Sequence, residues 1–294
     1  RKLEEGDQKI LVDCGLYQGS NYSEKHNWEP FLYEPGDISK VFITHAHIDH
    51  IGRLPQLIKA GFRGEIISTP PTKAASELLL LDSDHILAQT AKRLDQPVLY
   101  TADDVMRVMS CWQGIEYHQP LTVGPFTITL YNGGHILGSS FILIENKTGR
   151  RVVLSGDLGN RPAPLLGDKE KLPETDYCVI ESTYGNRLHE NLDRRKEMLE
   201  DIVEDTVKRG GVLMIPAFAM ERTQELIFEM NQLVEQGRIP RVPVFVDSPL
   251  AIKLTDVYRK YDKYLIEPMR FNFQGLKMSL TTEESKAIND VKSP

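Results

Sequence analysis

Cysteine is scarce in these 294 residues: Cys14, Cys111 and Cys178 are odd in number and far apart. That excludes a disulfide framework and fits a reducing compartment, read here as the cytoplasm. No run of eighteen apolar residues occurs, so no segment has the length to span a membrane as a helix, and no membrane partner is expected. No charged-apolar-small leader stands at the start, although a chain beginning at Arg1 without methionine leaves a removed leader open. Positive charge is not in excess either. Lys and Arg number 35 against 42 Asp and Glu, a net charge of −7. A sequence-independent nucleic-acid binder is usually basic, so such a partner would have to be held by a local patch and by bound metal. No Gly-x-Gly-x-x-Gly follows a predicted strand, which removes support for a dinucleotide site. Repeats and low-complexity tracts are absent, and no histidine follows His189.

What the chain does contain is a soluble globular composition, 40% hydrophobic and 26% charged. Its length suffices for one large or two ordinary domains. Histidine is concentrated: three of the eight fall within six residues, His45, His47 and His50, beside Asp49. Val41 to Thr44, just before them, is an apolar β-branched run that reads as a buried strand. The cluster thus stands at a strand's end, where α/β proteins place their sites. Alternation along an extended chain puts His45, His47 and Asp49 on one side and sends His50 elsewhere. Two imidazoles can then serve one ion while a carboxylate and an imidazole serve its neighbour. That donor set suits zinc better than calcium or magnesium.

Other acidic and imidazole groups also end strands. Lys9 to Val12 runs into Asp13, which by itself reads as the opening of a turn as readily as anything else. Two glycines precede His135, allowing close approach to a metal. Leu154-Ser-Gly leads into Asp157, and the strand from Tyr177 to Ile180 into Glu181. Further strands are predicted at Glu65 to Ser68, Phe126 to Tyr131, Ser139 to Glu145 and Arg151 to Leu154. Helices are predicted from Pro55 to about Ala60 and from Pro70 to about Lys92, with a Thr101–Asp104 capping box opening another. His26 and His85 read as surface or lightly packed residues, His118 as a turn residue before Gln-Pro with no partner pattern, and Asn146-Lys-Thr148 as a hairpin tip rather than a glycosylation site. Beyond Tyr184 the rhythm changes. Met198, Leu199, Ile202, Val203 and Val207 mark an amphipathic helix. Gly211 to Ile215 (strand), Arg222 to Glu235 (helix), Val242 to Val246 (strand) and Leu250 to Tyr261 (helix) follow, an alternation that implies a parallel sheet flanked by helices.

His45-Ala-His47-Ile-Asp49-His50 resembles the His-x-His-x-Asp-His signature of the metallo-β-lactamase superfamily. Leu-Val-Asp13-Cys-Gly, Gly-Gly-His135-Ile-Leu-Gly-Ser and Ser-Gly-Asp157-Leu-Gly resemble its other motifs. Glu181-Ser-Thr-Tyr-Gly, Ile-Pro-Ala-Phe-Ala-Met-Glu-Arg-Thr-Gln-Glu and Val-Asp-Ser-Pro-Leu-Ala are similar to the β-CASP branch of nucleic-acid-processing nucleases. The likeness runs from about Ile10 to Ser285. It implies an α/β fold: a metallo-β-lactamase-like αββα sandwich over residues 1–184 and a β-CASP, Rossmann-like α/β domain over 185–294. In that family the second domain is an insertion, further strands precede the Asp13 motif, and the chain returns to the first domain afterwards. The resemblance therefore implies that parts of both domains lie outside this sequence.

The resemblance also implies roles. His45, His47 and His135 hold a first zinc, Asp49 and His50 a second, and Asp157 bridges the two. Asp49 and Glu181 belong to the catalytic machinery, Glu181 by supporting a histidine further along. Asp13 orients ligands. His189 either does likewise or lies on the surface. Arg222 and Ser248 face substrate phosphate, or Arg222 merely packs at its helix start. Two ions about 3.5–4 Å apart share a hydroxide for in-line attack on a phosphodiester, its pKa lowered towards about 7.

Three functions follow for comparison. One is a zinc-dependent ribonuclease acting on single-stranded RNA, endonucleolytic with or without 5′-to-3′ exonuclease activity, DNA and a homodimer remaining open. The second is a hydrolase of a small ester or thioester, which has no need of a β-CASP-like half. The third is a non-catalytic scaffold of an RNA-processing complex, which has no need of an intact ligand motif. Because the branch uses two histidines beyond the β-CASP region, these residues alone are expected to be weakly active or inactive.

Overall fold

Alternation along the first strands decides which side each residue faces. The computed structural model describes residues 1–161, 163–188, 194–266 and 277–279. Two compact units are present, Arg1–Asn160 with Asp168–Glu181, and Arg161–Gly167 with Ser182–Pro294. The second unit thus takes in 161–167 as well as the residues from Ser182 on.

In the first unit, β1 (Lys2–Glu5) pairs antiparallel with β2 (Gln8–Val12). A short helix, α1 (Asn21–Lys25), follows, and then β3 (Lys40–Phe42) lies parallel to β2. Helices α2 (Ile48–Ile51) and α3 (Leu54–Lys59) lead to β4 (Glu65–Ser68). Helices α4 (Pro70–Arg93) and α5 (Ala102–Ser110) lead to β5 (Trp112–Gly114). The sheet order is β1-β2-β3-β4-β5, parallel from β2 onward. Leu11, Val41, Ile43 and Ile66 pack with Ile51, Leu54, Leu57, Leu80, Val105 and Val108 of the helices. Their neighbours Ile10, Val12, Phe42 and Ile67 point the other way, as a period of two requires.

The second sheet holds β6 (Leu121–Val123), β7 (Phe126–Asn132), β8 (Ser140–Asn146), β9 (Arg151–Leu154) and β10 (Tyr177–Val179). Its order is β10-β9-β8-β7-β6, antiparallel except for the parallel β9–β10 pair. Phe126, Ile128, Leu130, Ile142, Ile144 and Leu154 meet Ile10, Val12, Phe42 and Ile67 of the first sheet, so a second core lies between two sheets packed face to face. Among the described residues of this unit no helix lies beyond α5, so its helical cover is seen on one sheet only.

In the second unit α6 (Arg195–Lys208) and α7 (Arg222–Glu235) bury Leu199, Val203, Ile227, Met230, Leu233 and Val234 together. Arg195 donates to the buried carboxylate of Glu229 at 2.6 Å and fixes the pairing of the two helices. Then come β11 (Pro243–Phe245), α8 (Pro249–Lys260) and β12 (Lys277–Ser279), with β11 and β12 parallel. The strand expected at Gly211 to Ile215 is not formed. Val212, Met214 and Ile215 are exposed while Leu213 packs on the core. No described strand pairs with the segment, and without a ladder an apolar run does not make a sheet.

The chain turns sharply after β2. Gly15 passes so close to the Asp49–His50 backbone that a Cβ would stand 1.5 Å from the Asp49 carbonyl oxygen. Neither backbone can give way cheaply. Gly15→Ala is expected to destabilise the protein by about 3 kcal/mol, read as a lower midpoint in denaturant unfolding.

Candidate metal centre

The ligand-type residues all leave the same rim of the sandwich because they all follow strands. β3 ends at Phe42, and Thr44 to His47 continue from it; His47 is the N-cap of α2. The extended alternation expected through His50 therefore stops at His47. Asp49 and His50 stand in the first turn of a helix, because the backbone of Ile48–Ile51 closes helical hydrogen bonds onto His47 and Ile48. His135 comes from the β7–β8 connection, and Asp157 from just beyond β9.

His45, His47, His135 and Asp157 each place one donor atom within 4.8 Å of the others. His45 Nε2 lies 3.0 Å from His47 Nδ1, which lies 3.2 Å from His135 Nε2. Asp157 Oδ2 stands 3.8 Å from His45 Nε2 and 3.7 Å from His135 Nε2. The other oxygen of the same carboxylate, Oδ1, faces His50 Nε2 at 3.3 Å, and His50 Nε2 is 3.7 Å from Asp49 Oδ2. Asp157 thus turns one oxygen to each of two donor groups. Nitrogens bound to one tetrahedral zinc at about 2.0–2.1 Å stand about 3.3 Å from one another, so the imidazole spacings fit a shared divalent cation.

Behind the ligands, Asp13 ties His50 to Thr44, the residue before His45. Its carboxylate accepts from the Thr44 N–H at 2.8 Å and the Thr44 hydroxyl at 2.9 Å, and from His50 Nδ1 at 2.8 Å. His50 is thereby left with Nε2 facing the cluster, the carboxylate–imidazole arrangement that orients metal ligands. Asp13 reaches this position with φ of 60°, an uncommon conformation for a residue with a side chain. Cys14, next to it, is buried, and burial pushes its thiol up to about 12, so it offers no thiolate to the site.

Burial, reinforced by the neighbouring imidazoles, holds His45 well below its ordinary pKa. Burial and then His135 bring His47 down to about 4, and burial also lowers His135. All three are neutral at pH 7, with lone pairs to give. His50 behaves oppositely. Burial opposes its charge, yet its hydrogen bonds to Asp13 and Asp157 raise it to about 10. The hydrogen bond from His50 in turn lowers Asp157.

Glu181 stands close enough to His135 for its charge to act on that ring. Its carboxylate accepts from the Leu158 N–H at 3.1 Å and its own N–H donates to Ser155 Oγ at 3.0 Å, bracing the turn that carries Asp157. In the second unit Arg222 opens α7, half exposed and bonded to Glu225 at 2.9 Å. Ser248 caps α8, accepting from the Ala251 N–H at 3.2 Å. His189 lies outside the described residues. His26 sits at the surface beside Glu29, and His85 is exposed on α4. Ser139 was not singled out in the sequence, yet its buried hydroxyl accepts from the His135 and Ile136 N–H groups and fixes that loop. Its place four residues after His135, following glycine, was the available signal.

The opposed shifts carry a sign that can be measured. Between about pH 6.5 and 4 the unfolded chain protonates a histidine that His47 keeps neutral, so stability falls as pH drops. Between about 6.5 and 10 the folded chain keeps a proton on His50 that the unfolded chain releases, so stability falls as pH rises. Denaturation midpoints of the metal-free protein are expected to peak near pH 6.5. Zinc uptake at pH 7.5 is expected to release about one proton, from His50, in a weakly buffered titration.

Comparison with known proteins places this geometry. Residues 2–161 match the model of the Metallo-beta-lactamase superfamily domain, and residues 223–294 that of the Beta-Casp domain. Ribonuclease TTHA0252 of Thermus thermophilus is 34% identical over 298 residues, 98% of this chain and 66% of that protein. Transcription termination factor FttA of Methanosarcina mazei is 32% identical across 91% of this chain and 42% of its own length. Cleavage and polyadenylation specificity factor subunit 3-I of Arabidopsis thaliana is 32% identical across 90% and 38%. The chain thus spans less than two thirds of each of these relatives. A crystal structure of a protein of unknown function from Enterococcus faecalis aligns over 88% of this chain and 63% of its own, with a TM-score of 0.53 and 14% identity, a likeness of fold. With its sandwich, its His-x-His-x-Asp-His rim and its second domain, the chain belongs to the metallo-β-lactamase superfamily, in the β-CASP branch.

Proposed function

We propose that the complete protein is a zinc-dependent ribonuclease that cuts single-stranded RNA endonucleolytically with two ions per chain. The observation that carries this reading is the Asp157 carboxylate, which faces His45 and His135 with one oxygen and His50 with the other. His45, His47, His135 and Asp157 would hold one ion, and Asp49, His50 and Asp157 the second. Bound there, the ions supply Lewis-acid activation of water and of a phosphoryl group, the difficult part of phosphodiester hydrolysis.

The protein's own groups prepare this chemistry. Asp13 holds the His50 ring, and Thr44 holds Asp13. The low pKa values of His45, His47 and His135 keep their lone pairs available at neutral pH. Glu181 keeps the Asp157 turn in place through the Leu158 N–H. Asp49, on the rim beside His50, is exposed enough to reach an ion and an incoming water together. Arg222 and Ser248, each opening a helix, contact the RNA backbone. Ser248 spends its lone pair on its cap and keeps its O–H for a phosphate. The names of the relatives support RNA over a small thioester as substrate.

His45→Ala and Asp157→Ala in the full-length protein are expected to abolish cleavage of labelled single-stranded RNA and lower bound zinc, with the circular dichroism spectrum unchanged. Products should carry 5′-phosphate and 3′-hydroxyl ends. Affinity for RNA should fall steeply with salt, because phosphate contacts release counterions. Turnover of a small thioester without cutting of any RNA would overturn this reading in favour of a small-ester hydrolase, and metal analysis finding no transition metal would overturn the zinc chemistry.

A further inference from the structure

Asp168-Lys169-Glu170-Lys171 is a run of charges between β9 and β10, the kind of segment that ordinarily does no more than face solvent. Here two of the four reach back to the loops that carry ligands. Glu170 grips Asn132 at the end of β7 from both sides of the peptide. Its carboxylate Oε1 accepts from the Asn132 N–H at 2.8 Å, and its own N–H donates to the Asn132 carbonyl at 3.0 Å. Asn132 then passes the restraint on, since its side-chain oxygen accepts from the Gly134 N–H at 2.9 Å, one residue before His135. Lys169 holds the other loop, donating from Nζ to the Gly159 carbonyl at 2.7 Å, two residues after Asp157.

The two loops are themselves in close contact. The Gly159 N–H donates to the Gly133 carbonyl at 2.9 Å. A Cβ on Gly159 would lie 1.7 Å from the Gly134 carbonyl oxygen, so the approach is backbone against backbone. The grip is anchored on its outer side too. The second carboxylate oxygen of Glu170 stands 3.1 Å from His118 Nε2. The His118 ring meets Tyr131 edge-on at 4.9 Å, and Tyr131 stacks on the buried Phe141.

We propose that Lys169 and Glu170 are positioning residues that set the separation of His135 from Asp157. They touch neither ligand side chain, and they act through the backbone of the two loops. Ligand atoms must be held to within about 0.5 Å for a metal centre to bind and work. Two neighbouring residues, one bonded to each loop, restrain a distance between the loops, which bonds within either loop alone cannot do. The inference rests on the metal-binding reading above and adds residues that lie outside the ligand motifs.

The test uses the full-length protein, with zinc titration and the visible spectrum of the cobalt(II)-substituted form as readouts. Glu170→Ala is expected to weaken zinc binding about tenfold, the usual effect of losing a group that orients ligands, and to shift the cobalt bands as the donor geometry relaxes. Glu170→Gln keeps an oxygen to accept from Asn132 and is expected to restore both. If Glu170→Ala fails to fold, Lys169→Met, which removes only the bond to the Gly159 carbonyl, reads the same two quantities. Variants that fold and match the wild type in zinc affinity and cobalt spectrum would overturn the proposal while leaving the metal site standing. A wild-type protein that takes up neither ion would overturn both.

Discussion

Imidazole nitrogens 3.0 and 3.2 Å apart in a buried pocket are the constraint on which the rest of this rim depends. Neutral rings so placed share either a proton or a cation, and burial makes the protonated state expensive. The surrounding structure acts on that conflict from behind. Asp13, Ser139, Glu181 and the Asn132 side chain all hold rings or turns in place. In this cluster His50, whose pKa is raised, has carboxylates at both of its nitrogens.

Much of this was legible in the sequence because strand ends and ligand types coincide. Val-Phe-Ile-Thr before His45 and Val-Val-Leu before Asp157 announce buried strands by their branched residues, and the sharp turn before Asp157 follows from Gly156. The Arg222–Glu235 helix was readable from its apolar spacing, and the structure has it at those residues. What was not legible depended on partners distant in sequence. Gly211 to Ile215 has the apolar run of a strand but lacks a described neighbour to pair with. The turn into α2 at Ile48 could not be seen from alternation, since two-residue periodicity and the first helical turn diverge only after His47. His118, dismissed as a turn residue, acquires its role from Glu170, far along the chain.

The second unit shows the same division between local and long-range information. Helices α6, α7 and α8 follow from their amphipathic patterns, whereas what locks them together does not. Gln224 is fully buried and donates to the Ala219 carbonyl and to Thr255 Oγ1 on α8. Glu221, just ahead of α7, adopts φ of 64° and receives the Tyr258 hydroxyl. A left-handed glutamate stores strain, and here it is maintained by a bond to a fully buried tyrosine. Polar groups buried at a helix–helix contact specify one arrangement of these helices, which apolar stripes alone would leave loosely determined.

The distribution of the donor groups over two sheets has a consequence for biogenesis. His45 and His47 follow a strand of the first sheet, while His135 and Asp157 belong to the second, and 88 residues separate His47 from His135. During vectorial synthesis the early histidines emerge long before Asp157 exists, and they meet it only when the sandwich closes. Capture of an ion by this donor set would therefore come after the two sheets have met, not before. An ion held there would also rivet one sheet to the other, so that loading would protect the sandwich as a whole against unfolding.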